Sequence, residues 1–499
     1  MTDRNGALSP EVERNLLHEL YRREFEAFLE GAFRILEPNT EYIRSGYIGL
    51  ICDRLLDVSD GDCQRLIVNC PPRHLKSFAI SQAFPAWLLG QRPGMRIMLL
   101  SYGTDLVEAN MRAIRKLMES PWYQRVFPGA RLDPSKKSVG ALETTKRGGV
   151  IGTTVEGQIT GRGANLIIVD DPIKSGDAEY PNRLDALNGW FQHTALSRLN
   201  NKRTDSIIIV MQRLNVNDLT GFLLRGPGYT HLNLPAIAPR DETFLMRYGE
   251  KFVRTAGSAL CPERQPLELL EQERLRIGSY LFSAQYLQEP VPKEGNILPY
   301  EHLSFVDQAP VFKVGDVIYQ SWDLGVKDGD ANDPSACVTV LKSGSDFYLL
   351  EFWCGRLLFT ALRDKIISHA RKFSVSRILI EDAANGPAMV STLRETTDLN
   401  VISIPATSSK VERALAQAPL FEGRRVHILK SAPGLDEFVS QYRAFPKAPH
   451  DDLIDAVMQA LAYGVKHFLG SLGFFAVGER AWALRVAAEY GWPQGREIV

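Results

Sequence analysis

Short β-branched runs alternate with longer amphipathic stretches through much of the first half of the chain. The runs cover 66–69, 96–101, 166–170 and 206–211, and the stretches that follow them cover 76–89, 104–119, 181–200 and 217–224. Such alternation predicts a mostly parallel sheet with helices on its faces. Apolar residues at spacings of three and four predict that a helical segment, 9–36, precedes this sheet.

A second regular segment follows a stretch rich in proline and charge, and its order of elements is different. Strands are predicted at 318–324, 336–341, 347–353 and 377–381, with a helix at 359–372. Strands followed by helices indicate an α+β or mixed-sheet domain. Because 499 residues exceed what one core normally holds, we expect several domains. The predicted division is a helical segment 1–38, a first domain 39–265, a linker 266–300, a second domain 301–467 and a tail 468–499 of unreadable role.

Charge and cysteine content exclude several classes of protein. Lys and Arg number 58 against 59 Asp and Glu, so any nucleic acid must be bound by local basic patches rather than by overall charge. The six cysteines form no Cys-x-x-Cys pair, which argues against a zinc ribbon or a disulfide framework and fits a reducing compartment. No apolar run reaches 18 residues, so we expect no membrane span.

The segment 70–77, Cys-Pro-Pro-Arg-His-Leu-Lys-Ser, joins a predicted strand to a predicted helix. A loop in this context can cradle phosphates with its backbone N–H groups, while Lys76 reaches the outer phosphates and Ser77 binds Mg²⁺. The match to the Gly-x-x-x-x-Gly-Lys-Ser pattern is partial, because Cys70 and Leu75 replace both glycines. A solvated helix start is the competing interpretation.

Two carboxylates strengthen the nucleotide-site interpretation. Asp170 and Asp171 end the apolar run 166–170, where one acid can hold Mg²⁺ through water and the next can polarise an attacking water. A simple Asp-Asp-Pro turn is the alternative.

Three further polar positions are candidates for parts of such a site. Gln212 and Arg213 follow the run 206–211 and are candidates for a γ-phosphate sensor or for a plain polar loop. Arg162, in the glycine-rich segment 157–163, is a candidate arginine finger or DNA contact, and Arg73 competes for the finger role.

Acidic residues recur at three stations of the second domain. Asp323 lies in a predicted strand, Glu381 ends another, and Asp452 and Asp455 share one face at the start of a helix. A buried strand carboxylate is costly unless it is paired or bound to metal. Together the stations predict a two-metal nuclease site of the RNase H-like pattern, with Asp452 and Asp455 left open as alternatives.

Between about residues 40 and 466 the chain resembles the large terminase subunit of tailed bacteriophages. The resemblance rests on short motifs in the same order: 71–77, 101–106, 160–165, 169–172, 282–288, 321–323, 380–382 and 450–456. It implies an N-terminal P-loop ATPase domain of the ASCE type, built on a parallel sheet, and a C-terminal RNase H-like mixed α/β nuclease domain.

The resemblance also implies roles for individual residues. The nucleotide site would comprise Pro72, Arg73, His74, Leu75, Lys76, Ser77 and Asp170; Asp171 would be the catalytic carboxylate; Gln212 and Arg213 would couple hydrolysis to motion; and Asp323, Glu381 and Asp452 or Asp455 would hold metal and catalyse cutting. Leu75 departs from the glycine of the family, and Asp171 from its glutamate. The shorter acid predicts a slower ATPase.

The implied activity is ATP-driven translocation of double-stranded DNA into a procapsid, with metal-dependent cutting of concatemeric DNA. ATP, Mg²⁺ and, at the nuclease site, Mn²⁺ are the implied cofactors. The implied partners are DNA, a portal protein, a small terminase subunit and further copies in a ring on the procapsid, in the bacterial cytoplasm and not in the mature virion. Two alternatives are a stand-alone nuclease or resolvase with an inactive P-loop domain, and a non-catalytic docking protein.

Overall fold

The computed structural model describes residues 9–136, 138, 140–157, 161–292, 297–325, 334–405, 408–446 and 450–468. Residues 1–8 of the predicted helical segment 1–38, and all of the predicted tail 468–499 except residue 468, lie outside the described residues. The chain divides into two units, Met1–Glu273 with Leu281–Val291, and Arg274–Tyr280 with Pro292–Val499. No helix in the described ranges is both long and apolar enough to cross a membrane.

The first unit contains a seven-stranded sheet, a two-stranded hairpin and flanking helices. Its elements are α1 (Pro10–Arg23), α2 (Phe25–Leu36), α3 (Gly46–Asp60), β1 (Arg65–Asn69), α4 (Phe84–Gln91), β2 (Arg96–Ser101), α5 (Thr104–Glu119), α6 (Pro121–Val126), β3 (Ala141–Glu143), β4 (Gly149–Thr154), β5 (Leu166–Asp170), α7 (Pro181–Trp190), β6 (Ser206–Met211), α8 (Leu219–Leu223), β7 (Thr230–Asn233), β8 (Glu242–Leu245) and β9 (Lys251–Arg254).

The strand order of the large sheet is β3-β4-β2-β5-β6-β1-β7, and every pairing except β3 with β4 is parallel. Its central strands are buried on both faces, which explains why they read as continuous apolar runs rather than alternating ones. β6 lies between β1 and β5. The carboxyl ends of β1, β5 and β6 therefore meet at one edge.

Two predicted helices are interrupted. The single helix expected over 9–36 is two helices, α1 and α2, because Glu24 adopts an extended conformation between them. The helix expected over 76–89 begins at Lys76, widens into π-helical turns at Phe78–Ala83 and continues as α4.

The segment 266–300 carries the helices α9 (Leu267–Ile277) and α10 (Ser279–Gln285). The remaining elements are β10 (Ser304–Val306), β11 (Val317–Asp323), β12 (Ser335–Ser343), β13 (Asp346–Gly355), α11 (Phe359–Lys372), β14 (Arg377–Glu381), α12 (Gly386–Thr396), β15 (Val401–Ile404), α13 (Lys410–Glu422), β16 (Val426–Leu429), α14 (Leu435–Ala444) and α15 (Asp452–His467).

The second unit is built on a mixed sheet with the order β10-β16-β13-β12-β11-β14-β15. The pairs β11–β12 and β12–β13 are antiparallel, whereas β14 runs parallel to β11 and β15. Helix α15 lies against one face: the Tyr319 hydroxyl donates to the Ala460 carbonyl at 2.9 Å, and Gln459 donates to Ser321 at 3.1 Å. A methyl group at Gly464 would lie 2.4 Å from the Phe347 ring, so this close approach needs glycine.

The observed architecture is α/β with two mixed, mostly parallel sheets. The predicted fold class, α/β with a mostly parallel sheet followed by a mixed sheet, is confirmed.

Candidate active sites

The loop after β1 places two residues in the left-handed backbone region although it lacks the two glycines of the phosphate-loop pattern. Leu75, at the second glycine position, has φ +57°, and Arg73 has φ +64°. An L-residue pays an energetic cost in this left-handed region, so surrounding contacts must hold it there. The Leu75 side chain packs against the hydrophobic core of the first unit, which supplies such contacts.

The loop and the acidic strand meet directly. The Lys76 ammonium lies 2.7 Å from both carboxylate oxygens of Asp171, and the Ser77 hydroxyl donates to Asp170 at 3.0 Å. Asp171 itself has φ +42°. The structure thus brings together four of the side chains that the sequence predicted at a nucleotide site.

Burial and charge alter the protonation of this group. Burial and the neighbouring carboxylate of Asp171 raise the pKa of Asp170 to about 6. Burial alone would lower the pKa of Lys76, but the carboxylates of Asp171 and Asp170 outweigh it, and the pKa lies above its usual value. Lys76 is therefore charged, and the two acids share one cation.

His74 occupies a structural position in the loop. Its ring is buried, its Nδ1 atom lies 2.9 Å from the Pro72 carbonyl oxygen, and Tyr47 packs edge-on against it. Burial lowers the pKa of His74 to about 4, so the ring is neutral and its Nδ1–H donates to Pro72. Pro72 and His74 thus shape the loop from inside.

The candidate sensor residues follow β6, one strand from the loop. The Arg213 guanidinium donates to both oxygens of the buried Asp218 carboxylate at 3.0 and 3.1 Å. Asp218 also caps α8 by accepting from Gly221 at 2.9 Å. Arg213 therefore holds a turn, while Gln212 is partly exposed.

The two candidate arginine fingers, Arg73 and Arg162, are both exposed. Thr160, which precedes Arg162 in its motif, lies outside the described residues.

Sequence reasoning missed Asn69, the last residue of β1. Its side-chain amide donates to the Met211 carbonyl at 3.0 Å and to Thr220 at 3.2 Å, and its oxygen lies 2.7 Å from His231 Nε2. This network joins the ends of β1 and β6 to β7 immediately before the loop. Its position at the end of a parallel strand was the signal that could have identified it.

The second unit brings its acidic stations to one edge of the mixed sheet. Asp323 ends β11, Glu381 ends the adjacent parallel strand β14, and Asp455 lies in the first turn of α15. A methyl group at Gly386 would lie 2.0 Å from the Glu381 carbonyl oxygen, so α12 can begin this close to Glu381 only with glycine.

The carboxylates influence one another's ionisation. Burial and the nearby carboxylates of Asp455, Glu381 and Asp452 raise the pKa of Asp323 to about 7. Burial also raises the pKa of Asp455 and of Asp452. These electrostatic effects place Asp452 in the same acidic group.

Two cations that sequence reasoning missed lie among these acids. Arg413 donates to Glu381 at 2.5 Å and to Asp455 at 2.9 Å, and so joins β14 to α15. The Lys410 ammonium lies 2.5 Å from Asp451 and 2.9 Å from Asp455. Both belong to the first turns of α13, and their spacing of three residues was a signal for a shared helix face.

The carboxylates are ligands of the type that a hard divalent cation prefers, but in this structure they form ion pairs with Lys410 and Arg413. Across the described ranges, no group of three or more His, Cys, Asp or Glu side chains is arranged to hold a metal ion. The donor set is nevertheless all carboxylate oxygen, which Mg²⁺ and Mn²⁺ prefer. The Oδ2 atom of Asp452 is buried and, among the described residues, accepts no hydrogen bond. A hydrogen-bond donor or a bound cation would satisfy that atom.

Residues 320–463 match the family model of the terminase RNaseH-like domain. This range contains Asp323, Glu381, Asp452 and Asp455. The chain is related to the large terminase subunits of tailed bacteriophages. This match agrees with the family predicted from the motifs.

One curated relative is the large terminase subunit of Enterobacteria phage T3, which is 25% identical over 251 residues. The match covers 47% of this chain and 42% of that protein, so the chain spans about two fifths of the relative's length.

Solved terminase structures are similar over most of this terminase-like chain. The large terminase of a thermophilic bacteriophage has a TM-score of 0.49 at 11% identity and covers 84% of this chain and 99% of its own. The same terminase in complex with ATP-gamma-S has a TM-score of 0.45 at 12% identity, with 83% and 98% covered.

Proposed function

We propose that the chain is the ATP-hydrolysing and DNA-cutting subunit of a viral DNA packaging motor. The observation that carries the ATPase half is the contact of Lys76 and Ser77 with Asp171 and Asp170. A lysine and a hydroxyl at a helix start, facing paired acids across one added strand, are the parts needed for phosphoryl transfer. The family match over 320–463 supports the nuclease half.

In the ATPase half, each side chain has a role that follows from its chemistry. Lys76 leaves Asp171 for the outer phosphates, because phosphate oxygens compete for the same ammonium group. Asp171, released from that ion pair, accepts a hydrogen bond from the attacking water. Ser77 and Asp170 would hold Mg²⁺, which neutralises charge on the phosphates when bound.

Three residues remain proposals, one for coupling and two for charge stabilisation. Gln212 follows the strand between the loop and the acids, so it can report the state of the γ-phosphate to α8. Arg73 and Arg162 are exposed and can reach a nucleotide in a neighbouring copy of the chain.

In the nuclease half, Asp323, Glu381 and Asp455 would hold divalent ions, with Asp452 beside them. When bound, such ions would stabilise the negative charge that develops as a phosphodiester is cut. The remaining protein contribution is to orient the carboxylates, which the two parallel strands and α15 do from three directions.

The proposed partners follow from the terminase relationship. They are double-stranded DNA, a portal protein, a small terminase subunit and further copies of the chain in a ring on the procapsid, within the host cytoplasm.

The decisive experiment measures DNA-stimulated ATP hydrolysis by the purified chain, together with packaging of DNA into procapsids read as protection from added nuclease. The matched variant is Lys76→Ala, which should lose ATP hydrolysis and packaging but retain metal-dependent cutting. A parent chain that cuts DNA and turns over no ATP would instead establish the alternative, a stand-alone nuclease with an inactive loop.

A further inference from the structure

The two cations of α13 are placed against the preference of their own helix. Lys410 is the first residue of α13 and Arg413 the fourth, where the helix dipole favours negative charge. The local sequence satisfies that preference elsewhere, since Glu412 and Ser409 form a capping box. Neither cation is therefore needed to start the helix, and their stabilisation comes from the acids they face.

The contacts are of the kind that a metal ion replaces. Asp455 receives Arg413 on one carboxylate oxygen and Lys410 on the other, so both of its oxygens face side-chain cations. Glu381 is joined to Asp455 through the same guanidinium. A divalent ion bound by Glu381 and Asp455 would need those same oxygens.

The pairing is incomplete in a way that suits exchange. The Arg413 Nε–H group is buried and, in the described part of the chain, has no hydrogen-bond partner. Lys410 is about half exposed, with 48% of its side chain accessible, so its ammonium can return to water. An ion pair with an unsatisfied buried donor and one exposed partner gives up less on opening than a fully satisfied pair.

We infer that Lys410 and Arg413 are displaceable counter-ions of the nuclease carboxylates. They neutralise Glu381, Asp451 and Asp455 in the metal-free chain and leave these oxygens when divalent ions bind. Metal therefore binds by exchange against two built-in charges, which weakens its apparent affinity and keeps the nuclease idle when metal is scarce. This inference rests on the proposed nuclease function.

The test is Mn²⁺ binding to the full chain after treatment with EDTA, read from the electron paramagnetic resonance signal of free Mn²⁺. The variants are Lys410→Met and Arg413→Met, which keep an unbranched side chain and remove one charge. The matched control is Lys430→Met, because Lys430 pairs with Asp307 and, within the described ranges, forms no ion pair with these acids. Arg413→Lys restores the charge.

Each Met variant should bind Mn²⁺ at least about tenfold more tightly than the parent, whereas Lys430→Met and Arg413→Lys should bind like it. In EDTA, thermal unfolding of the Met variants should begin at lower temperature than that of the parent, and Mn²⁺ should close the gap. Lys410→Met, which changes a half-exposed side chain, tests the inference even if Arg413→Met fails to fold.

Unchanged or weaker Mn²⁺ binding in the Met variants would overturn the inference. If in that case the parent binds Mn²⁺ and Asp323→Asn does not, the proposed nuclease site is retained and only the counter-ion inference is rejected. If no variant and no parent chain binds Mn²⁺ at millimolar concentration, both the inference and the metal site fall.

Discussion

The Lys76 ammonium donates to both carboxylate oxygens of Asp171 at 2.7 Å. This ion pair joins the loop after β1 to the acidic end of β5. Asp171→Asn should lower ATP turnover by on the order of 100-fold, because the amide cannot accept a proton from water. Binding of ATP should persist, since Lys76 remains. Equilibrium binding of a fluorescent ATP analogue, measured beside turnover, separates the two effects. Loss of binding in Asp171→Asn would contradict this division of roles.

Leu75 gives a prediction on stability. Because its φ is +57°, removal of Cβ should relieve strain there, whereas glycine normally destabilises a chain relative to alanine. Leu75→Gly should therefore be more stable than Leu75→Ala by about 1 kcal/mol. Both variants lose the same packing against the core, so the pair isolates the backbone. Urea unfolding measures the difference, and a more stable Leu75→Ala would show that the loop is not held in this conformation.

We expect the first unit to lose stability in acid, because His74 is buried and neutral. The histidine pKa is about 6.5 in the unfolded chain and about 4 in the folded one. Below pH 6.5 the unfolded chain therefore binds a proton that the folded chain does not, and stability falls as the pH decreases from 6.5 to 4. The loss approaches about 3 kcal/mol at the lower end.

The control for this effect is His74→Asn, whose amide can replace the Nδ1–H donor to Pro72 without titrating. The free energy of unfolding of this variant should depend less on pH between 6.5 and 4. An identical slope in the parent and the variant would assign the acid sensitivity to other groups.

The central strands could be predicted from the sequence because a buried parallel strand needs no alternation. The predicted run 206–211 coincides with β6, and 166–170 coincides with β5. The break at Glu24 could not be predicted, since the apolar spacing continues across it and only tertiary packing decides the angle between α1 and α2.

The candidate sites show the same division. The acids could be predicted because each ends a readable strand or begins a readable helix. Lys410 and Arg413 could not, since a basic pair on a helix is normally solvated and nothing local places α13 beside Glu381 and Asp455.

Replacement of Asp323 by asparagine should have opposite effects on DNA cutting and on the stability of the folded chain. Asp323→Asn should reduce Mn²⁺-dependent DNA cutting by on the order of 100-fold or more, because it removes a charged ligand from the acidic group. In the folded chain the pKa of Asp323 is raised to about 7. As the pH rises from the ordinary aspartate pKa towards 7, the unfolded chain releases this proton before the folded chain does, so the free energy of unfolding decreases. At pH 8 in EDTA, Asp323→Asn should therefore unfold at a higher temperature than the parent.

Asp382 is the matched control for this pair of measurements. It follows Glu381 directly and is exposed. Asp382→Asn should leave both cutting and the unfolding temperature near parental values. An equal loss of cutting in Asp382→Asn would mean that the acids of the nuclease site are wrongly assigned.

The contacts of Glu422, at the end of α13, indicate where a stable nuclease fragment should begin. Its carboxylate accepts from the Ser279 backbone N–H at 2.9 Å and from the Ser279 hydroxyl at 2.5 Å, and it pairs with Arg274. A fragment 299–468 contains all seven strands of the mixed sheet, so it should fold. It lacks Arg274 and Ser279, so Glu422 is left without three donors.

The fragment 266–468 should therefore be more stable than 299–468 by about 1–3 kcal/mol. Glu422→Gln should shrink that difference, because the neutral amide loses the charge-assisted bonds in the longer fragment and has little to lose in the shorter one. Urea unfolding of the two fragments, each with and without Glu422→Gln, forms a complete double-mutant cycle. If the difference persists with glutamine at 422, the added helix stabilises the fragment by other contacts, and Glu422 does not anchor α13 to the segment before the nuclease sheet.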